Sequence, residues 1–396
     1  MTDELPAIEM SDEQRRVCEL ARDFAREEVR PGAGRRDREE GEFDREIVDR
    51  LGELGFFGML VPPEHGGLGM NLLTYLCVLE EIARADASVA VSLSVHSSLP
   101  CHLLLEHGTA EQKERWLEPM AEGDLLGAFS LTEADSGSDA ASLSAEARRD
   151  ADGWVLEGEK MWVTNGASAD LVVTFARTDE PGDRRGKDGI GAFVVPTGVD
   201  GWRPSKKERK MGLRGSETVA VRLDGVRLGE GHLLGDPSQG FRYALSALEG
   251  GRLGIAAQAV GIAAAALEHA RDYAAQREQF GRPIEEFQGM RFKLADMTRR
   301  VEAARALLHR AARAYMMDDP RSLLLSSAAK LEASETAMEV SREAVQTFGG
   351  YGYAREYPVE RLFRDAKITE IYEGTNEIQR IVIARELFSR TRRTDP

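Results

Sequence analysis

Cysteine is scarce in this chain. Three occur among 396 residues, Cys18, Cys77 and Cys101, and none has CxxC spacing. That excludes a disulfide framework and a thiol-based metal cluster, and predicts buried, reduced thiols in a cytoplasmic protein. Positive charge is also short: 52 Lys and Arg against 68 Asp and Glu leave a formal net charge of −16. The most basic stretch, Lys206-Lys207-Glu208-Arg209-Lys210, is broken by an acid. It reads as a solvated loop, and no nucleic-acid partner is expected. No apolar run approaches the ~20 residues of a membrane helix; the Ala-rich stretch Ile262–Leu267 is short and flanked by charge. No membrane insertion is expected. The first residues are acidic and lack a basic segment followed by an apolar one, so no signal peptide is read. The histidines, of which His96, His102 and His107 lie closest, form neither HxxxH nor HExxH, and no metal site is expected. The GxG triplets begin at Gly32, Gly67, Gly189, Gly229 and Gly350, and none extends to GxGxxG. A dinucleotide-binding βαβ unit is thereby disfavoured.

What is present falls into three zones. A chain of this length that is 42% hydrophobic suits two or three packed domains. Residues 1–120 read as an N-terminal helical domain. Ser11 with Gln14 makes a capping box for a helix over Asp12–Val29, stopped by Pro31-Gly32. Phe43–Leu54, Leu72–Ala85 and Ala110–Met120 continue the helical pattern. Residues 121–235 change period: Trp154–Val163, Leu171–Phe175, Ile190–Val195 and Thr218–Leu223 are short, β-branched and bounded by turn formers. They predict an antiparallel β domain. Residues 236–396 return to long helical patterns, Phe241–Gln276, Gln288–Met317, Arg321–Phe348 and Thr375–Ser389, as in a four-helix bundle. The fold class is α+β in the order α, β, α.

The segment Arg364–Arg380 contains Tyr372-Glu373-Gly374. A carboxylate between an aromatic wall and a glycine that admits a ligand would lose hydration, and its acidity would weaken toward the range of a general base. A surface Glu beside a Gly turn has the same spelling. Four further segments accompany it. Ala128–Asp139 is a strand ending in a polar turn whose N–H groups, hydroxyls and glycine suit a phosphate. Lys160–Gly166 carries Trp162 and Thr164, which alternation puts on one strand face. Arg277–Gln288 is a helix end and restart, with a guanidinium fork suited to an anion. Gln346–Gly350 is a helix C-terminus with glycines. Each has a plain structural reading when taken singly.

Together, and in this order, these motifs resemble the acyl-CoA dehydrogenase family from about residue 10 to 390. The resemblance implies an FAD enzyme that oxidises an acyl-CoA thioester to the trans-2-enoyl-CoA. It implies that Phe129, Leu131 and Thr132 lie along the flavin, with Ser138 near the phosphates and the substrate. Trp162 would shield the flavin and Thr164 bond near N5. Arg277, Phe280, Gln288, Gln346, Gly349 and Gly350 would reach the FAD of a neighbouring subunit in a homotetramer, a dimer of dimers, and Thr375 and Glu377 would also contact cofactor. Glu249, Arg252 and Gly374 would contact substrate. Where most relatives have Glu-Pro, this chain has Glu133-Ala134. Some members carry the base immediately before an Arg on a helix; here Arg252 follows Gly251, which cannot take a proton, so Glu373 is the expected base. It would remove the α-proton as the β-hydrogen leaves as hydride. The developing enolate would be held by its own backbone N–H and the FAD ribityl 2′-hydroxyl. The motifs look most like short-chain and short branched-chain members, with an electron-transfer flavoprotein as acceptor. The alternatives are an acyl-CoA oxidase, which usually carries an extra C-terminal helical region, and a non-catalytic flavin-binding relative, which would lack the base or the FAD contacts. A nitroalkane oxidase would have Asp at position 373.

Overall fold

The computed structural model describes residues 10–38, 43–179 and 186–391. Helices build both ends of the chain and a sheet builds the middle. In the N-terminal part the capping box at Ser11 forms as its sequence predicts. Pro31, however, does not stop the helix. Asp12–Phe24 runs through a wide π turn, Ala25–Val29, into Arg30–Arg38. Proline lacks a donor and crowds the carbonyl four residues back. The π turn re-phases the backbone ladder just ahead of it, with the Arg30 N–H reaching back to Ala25 O. The same device recurs at Ser97–Cys101, which contains Pro100, and at Lys113–Leu117, just before Pro119.

Two helical runs are long and apolar enough to cross a membrane by length and composition, 87–107 and Gly240–Gln276. This corrects the expectation that no apolar stretch reaches that length. Their apolar windows are 89% and 83% buried inside the protein. A helix that other elements cover on all sides needs no polar face. For the same reason the 87–107 helix gave no periodic signal in the sequence.

The middle sheet comprises β1 (Gly127–Ser130), β2 (Glu146–Arg149), β3 (Gly153–Thr164), β4 (Leu171–Arg177), β5 (Ile190–Pro196), β6 (Trp202–Pro204), β7 (Thr218–Gly229) and β8 (Leu233–Leu234). Its order is β6-β7-β3-β2-β4-β5-β8, with β1 also on β4. The expectation of a purely antiparallel sheet is corrected at two pairings: β1 runs parallel to β4, and β2 meets β4 through one parallel bridge. One side of the sheet packs into the helical core through Val173, Phe175 and Ile190. The other has its own core around Trp154, Phe193 and Trp202.

The C-terminal helices Gly240–Gln276, Gln288–Met316, Ser322–Phe348 and Asn376–Thr391 pack together, joined by Pro358–Ile368, which the sequence pattern did not yield. Between the first two lies a small hairpin, Glu278–Gln279 with Arg282–Pro283.

Candidate active site

Glu373 sits in a tight turn between Pro358–Ile368 and Asn376–Thr391. Its φ is +53°, a left-handed conformation that costs a non-glycine residue about 1–2 kcal/mol. Gly374 follows at φ +88°, and a Cβ there would meet Gln379 Nε2 at 2.7 Å. The surroundings hold this strained pair in place. Gln379 Nε2 donates to the carbonyls of Glu373 (3.2 Å) and Gly374 (2.9 Å). Thr375 Oγ1 accepts from Ile378 N–H and so caps the last helix.

The carboxylate points at the Gly240–Gln276 helix. A Cβ on Gly251 would lie 2.5 Å from Glu373 Oε2, so the missing side chain leaves the space that the carboxylate fills. Oε2 is shut off from solvent and has no hydrogen-bond partner among the described residues, although the residue as a whole is partly exposed. It is the surroundings of the carboxylate that decide its acidity. Burial pushes the Glu373 carboxyl up to about 7, against the pull of Arg252 and Lys330. Arg252 is buried, with Nε and Nη1 unpartnered among the described residues, and burial lowers its own pKa. Glu249 accepts from Ser322 Oγ at 2.8 Å. Tyr372 is more than an apolar wall. Its hydroxyl donates to Gln258 Oε1, and Gln258 Nε2 donates to Ala87 O at 2.7 Å.

A second group forms where β1 meets β3. Met161 N–H donates to Thr132 O at 2.8 Å, and Lys160 Nζ donates to Leu131 O at 3.1 Å and Glu133 Oε1 at 2.8 Å. Glu133 also accepts from Ser144 N–H, Ser144 Oγ and Ala145 N–H. This buried pair ties the segment holding Phe129, Leu131, Thr132 and Ser138 to the one holding Trp162 and Thr164. Sequence patterning missed it because the partners are far apart in the chain. Regular alternation does not hold at Trp162. One extra residue enters β3 between Lys160 and Val163, and Trp162 has φ +61°. The bulge buries Val163 and leaves Trp162 57% exposed, with Thr164 half-buried and Ser138 exposed.

A third group lies elsewhere on the surface. Arg277, Gly349 and Gly350 line one cleft of about 540 Å³ with Tyr273, Phe348 and Tyr351. Arg277 stacks 5.6 Å from the Tyr351 ring centre. Phe280 is 94% exposed, Gln288, Gln346 and Glu377 are exposed, and none of the four lines the cleft. Among the described residues, no hydrogen bond links this cleft to Glu373 or to the Trp162 group.

His96 is occupied structurally. His96 Nδ1 accepts from Gly127 N–H (2.9 Å), so Nε2 carries the proton and faces Met120 O and Cys101 Sγ. That tautomer cannot deprotonate Cys101, whose thiol burial already pushes far up. All three cysteines are free and buried.

The donor set fits a flavin dinucleotide. The exposed Trp162 indole lies on the strand bonded to the turn after β1, and a Cβ on Gly137, Gly349 or Gly350 would meet nothing within 4 Å. A planar ring and a pyrophosphate need such open backbone.

Sequence comparison agrees. The acyl-CoA dehydrogenase N-terminal domain matches residues 11–124, the middle domain 128–226 and the C-terminal domain 238–388. An acyl-CoA dehydrogenase of Bacillus subtilis (strain 168) is 46% identical over 387 residues, covering 97% of this chain and 100% of that one. The butyryl-CoA dehydrogenase of Megasphaera elsdenii superposes with a TM-score of 0.93 at 42% identity, covering 96% of this chain and 99% of that one. A chain in a structure described as an electron transferring flavoprotein of Acidaminococcus fermentans, on flavin-based electron bifurcation, also gives 0.93 at 42% identity, covering 98% and 99%. The chain belongs to the acyl-CoA dehydrogenase family, whose members are FAD flavoproteins. It is an enzyme of acyl-CoA dehydrogenation.

Proposed function

We propose that this enzyme dehydrogenates a short or short-branched acyl-CoA, with Glu373 removing the α-proton. The observation that carries the base assignment is the buried, unpartnered Oε2, whose carboxyl titrates at about 7. A base is most useful when its pKa lies near the working pH. The strained turn, gripped by Gln379, keeps the carboxylate from turning out into water. Gly251 leaves room for the carboxylate itself, and Gly374 lets Gln379 close on the turn. Arg252 orients the carboxylate by charge, with Glu249 behind it toward the substrate's CoA portion.

When bound, FAD supplies the acceptor for the hydride that leaves the β-carbon. Phe129, Leu131, Thr132, Trp162 and Thr164 would hold its ring, with Ser138, Thr375 and Glu377 near the rest of the molecule. Arg277, Phe280, Gln288, Gln346, Gly349 and Gly350 would serve a neighbouring subunit's cofactor. Glu373 is not among the residues lining the Arg277 cleft, which favours that arrangement, and the assembly we infer is a homotetramer, a dimer of dimers. The likeness to a butyryl-CoA dehydrogenase supports the short acyl chain, and the likeness to the flavoprotein-associated chain supports an electron-transfer flavoprotein as acceptor. Three free, buried thiols fit a cytoplasmic setting.

The test is an anaerobic titration of the purified yellow protein with butyryl-, isobutyryl-, 2-methylbutyryl- and octanoyl-CoA. Bleaching of the flavin band near ~450 nm, fastest with a four- or five-carbon acyl group, is expected of a base and flavin acting on one thioester. Fastest bleaching by octanoyl-CoA would overturn the chain-length assignment.

A further inference from the structure

Lys330 lies on the Ser322–Phe348 helix with none of its surface exposed. A fully buried lysine usually has an acidic partner. Here Nζ donates to the amide oxygen Asn376 Oδ1 at 3.0 Å and, among the described residues, to no carboxylate. Asn376 Oδ1 also accepts from Ser334 Oγ at 3.0 Å. Asn376 opens the last helix, three residues after Glu373, and its own N–H donates to Glu370 O at 2.9 Å across the turn. The turn carrying the carboxylate is therefore anchored to a neighbouring helix through one amide, and the anchor carries a positive charge.

The charged and titratable groups around this point come from several elements. The Gly240–Gln276 helix contributes Arg252, and Glu249 beside it. The Ser322–Phe348 helix contributes Lys330. The turn and last helix contribute Glu370, Glu373 and Glu377, all of which act on Lys330 by charge, and Arg385, which acts on Arg252. Tyr75, from Leu72–Ala85, faces Glu373 as a neutral phenol, and Tyr372 stays neutral between Glu373 and Asp365. The cations felt by the Glu373 carboxylate are Arg252 and Lys330.

We propose that Lys330 is a positioning residue for proton abstraction: through Asn376 it fixes the Glu373 turn, and its buried charge favours the ionised base. This rests on Glu373 being the base. Burial lowers the Lys330 ammonium to about 8, so it remains mostly charged at neutral pH.

The experiment is the pH dependence of anaerobic flavin reduction at saturating butyryl-CoA in the holoenzyme, for the wild type, Lys330→Met, Lys330→Arg and Asn376→Asp. A cation beside a carboxylate attracts its ionised form, so removing it makes the carboxyl hold its proton to higher pH. The acidic limb should move up by about one unit in Lys330→Met, a roughly tenfold loss of rate below the limb. Lys330→Arg should restore it. Asn376→Asp keeps both hydrogen bonds but adds a charge that offsets the lysine, and it should move the limb in the same direction. If Lys330→Met does not retain flavin, Asn376→Asp carries the test. An unmoved limb, with any rate loss uniform across pH, would overturn the inference. Glu373→Gln run alongside separates the two claims: turnover in that variant sinks the base assignment itself, whereas a dead Glu373→Gln with unmoved limbs sinks only the role of Lys330.

Discussion

At Glu373, burial and charge pull in opposite directions. Loss of water raises the carboxyl, two cations lower it, and the balance lies near 7. Activity should therefore rise with pH through about 7, measured as the rate of flavin reduction. Glu373→Gln should keep FAD and abolish that rate. The same balance bears on stability. A carboxyl raised from 4.5 to about 7 on folding binds its proton more tightly in the native state, so stability falls as pH rises across that window. Glu373→Gln should then be more stable than the wild type by about 1–3 kcal/mol at pH 8 and no different at pH 4, by denaturant titration at each pH. Gly251→Ala is the steric counterpart. The three atoms nearest its Cβ would all belong to the end of the flexible Glu373 side chain, so turnover should drop while the melting temperature changes little.

Between elements, the Lys160–Glu133 pair joins β3 to the turn after β1. Lys160→Met would leave Glu133 buried without its cation, a loss of about 3–5 kcal/mol. It should also weaken FAD retention on dialysis, because both proposed ring-holding segments lose their shared anchor. Arg277→Ala should weaken FAD retention without lowering the melting temperature of the apoprotein, since among the described residues the guanidinium makes no hydrogen bond or ion pair and stacks on the Tyr351 ring at the surface. Unchanged FAD occupancy would count against its role at a pyrophosphate. These two variants mark where the sequence was legible. The Leu72–Ala85 helix forms with the end residues that its sequence reading gave, and Asn71 caps it. Glu373, Trp162 and Arg277 were singled out through motifs. The tie between Lys160 and Glu133 was not, since pairing across a sheet leaves no periodic trace. Lys330 did leave one: it falls in phase with Ser326, Ala329, Ala333 and Ala337 on a face of small residues, where a long cation is out of place. The Pro31 stop failed because a π turn absorbed what proline usually breaks.

Across the whole molecule, helices at both ends share one core while the sheet keeps a second. Assembly is where a single chain reads least well. Phe280, Tyr353, Ile381 and Phe388 are all strongly exposed large groups in the C-terminal part. Light scattering should give four times the mass of one chain, and a monomer that holds FAD and turns over would remove the argument for cofactor sharing. The fold also carries a lesson in the gap at Gly251. Two stretches far apart in sequence look into the same small volume, one bringing a carboxylate and the other leaving room for it. What the reaction requires is an acid group at a location, whichever stretch delivers it. Exchanging the two, with Gly251→Glu and Glu373→Gly in one chain, should recover turnover that Glu373→Gly alone has lost, so the catalytic address can outlive the residue that now occupies it.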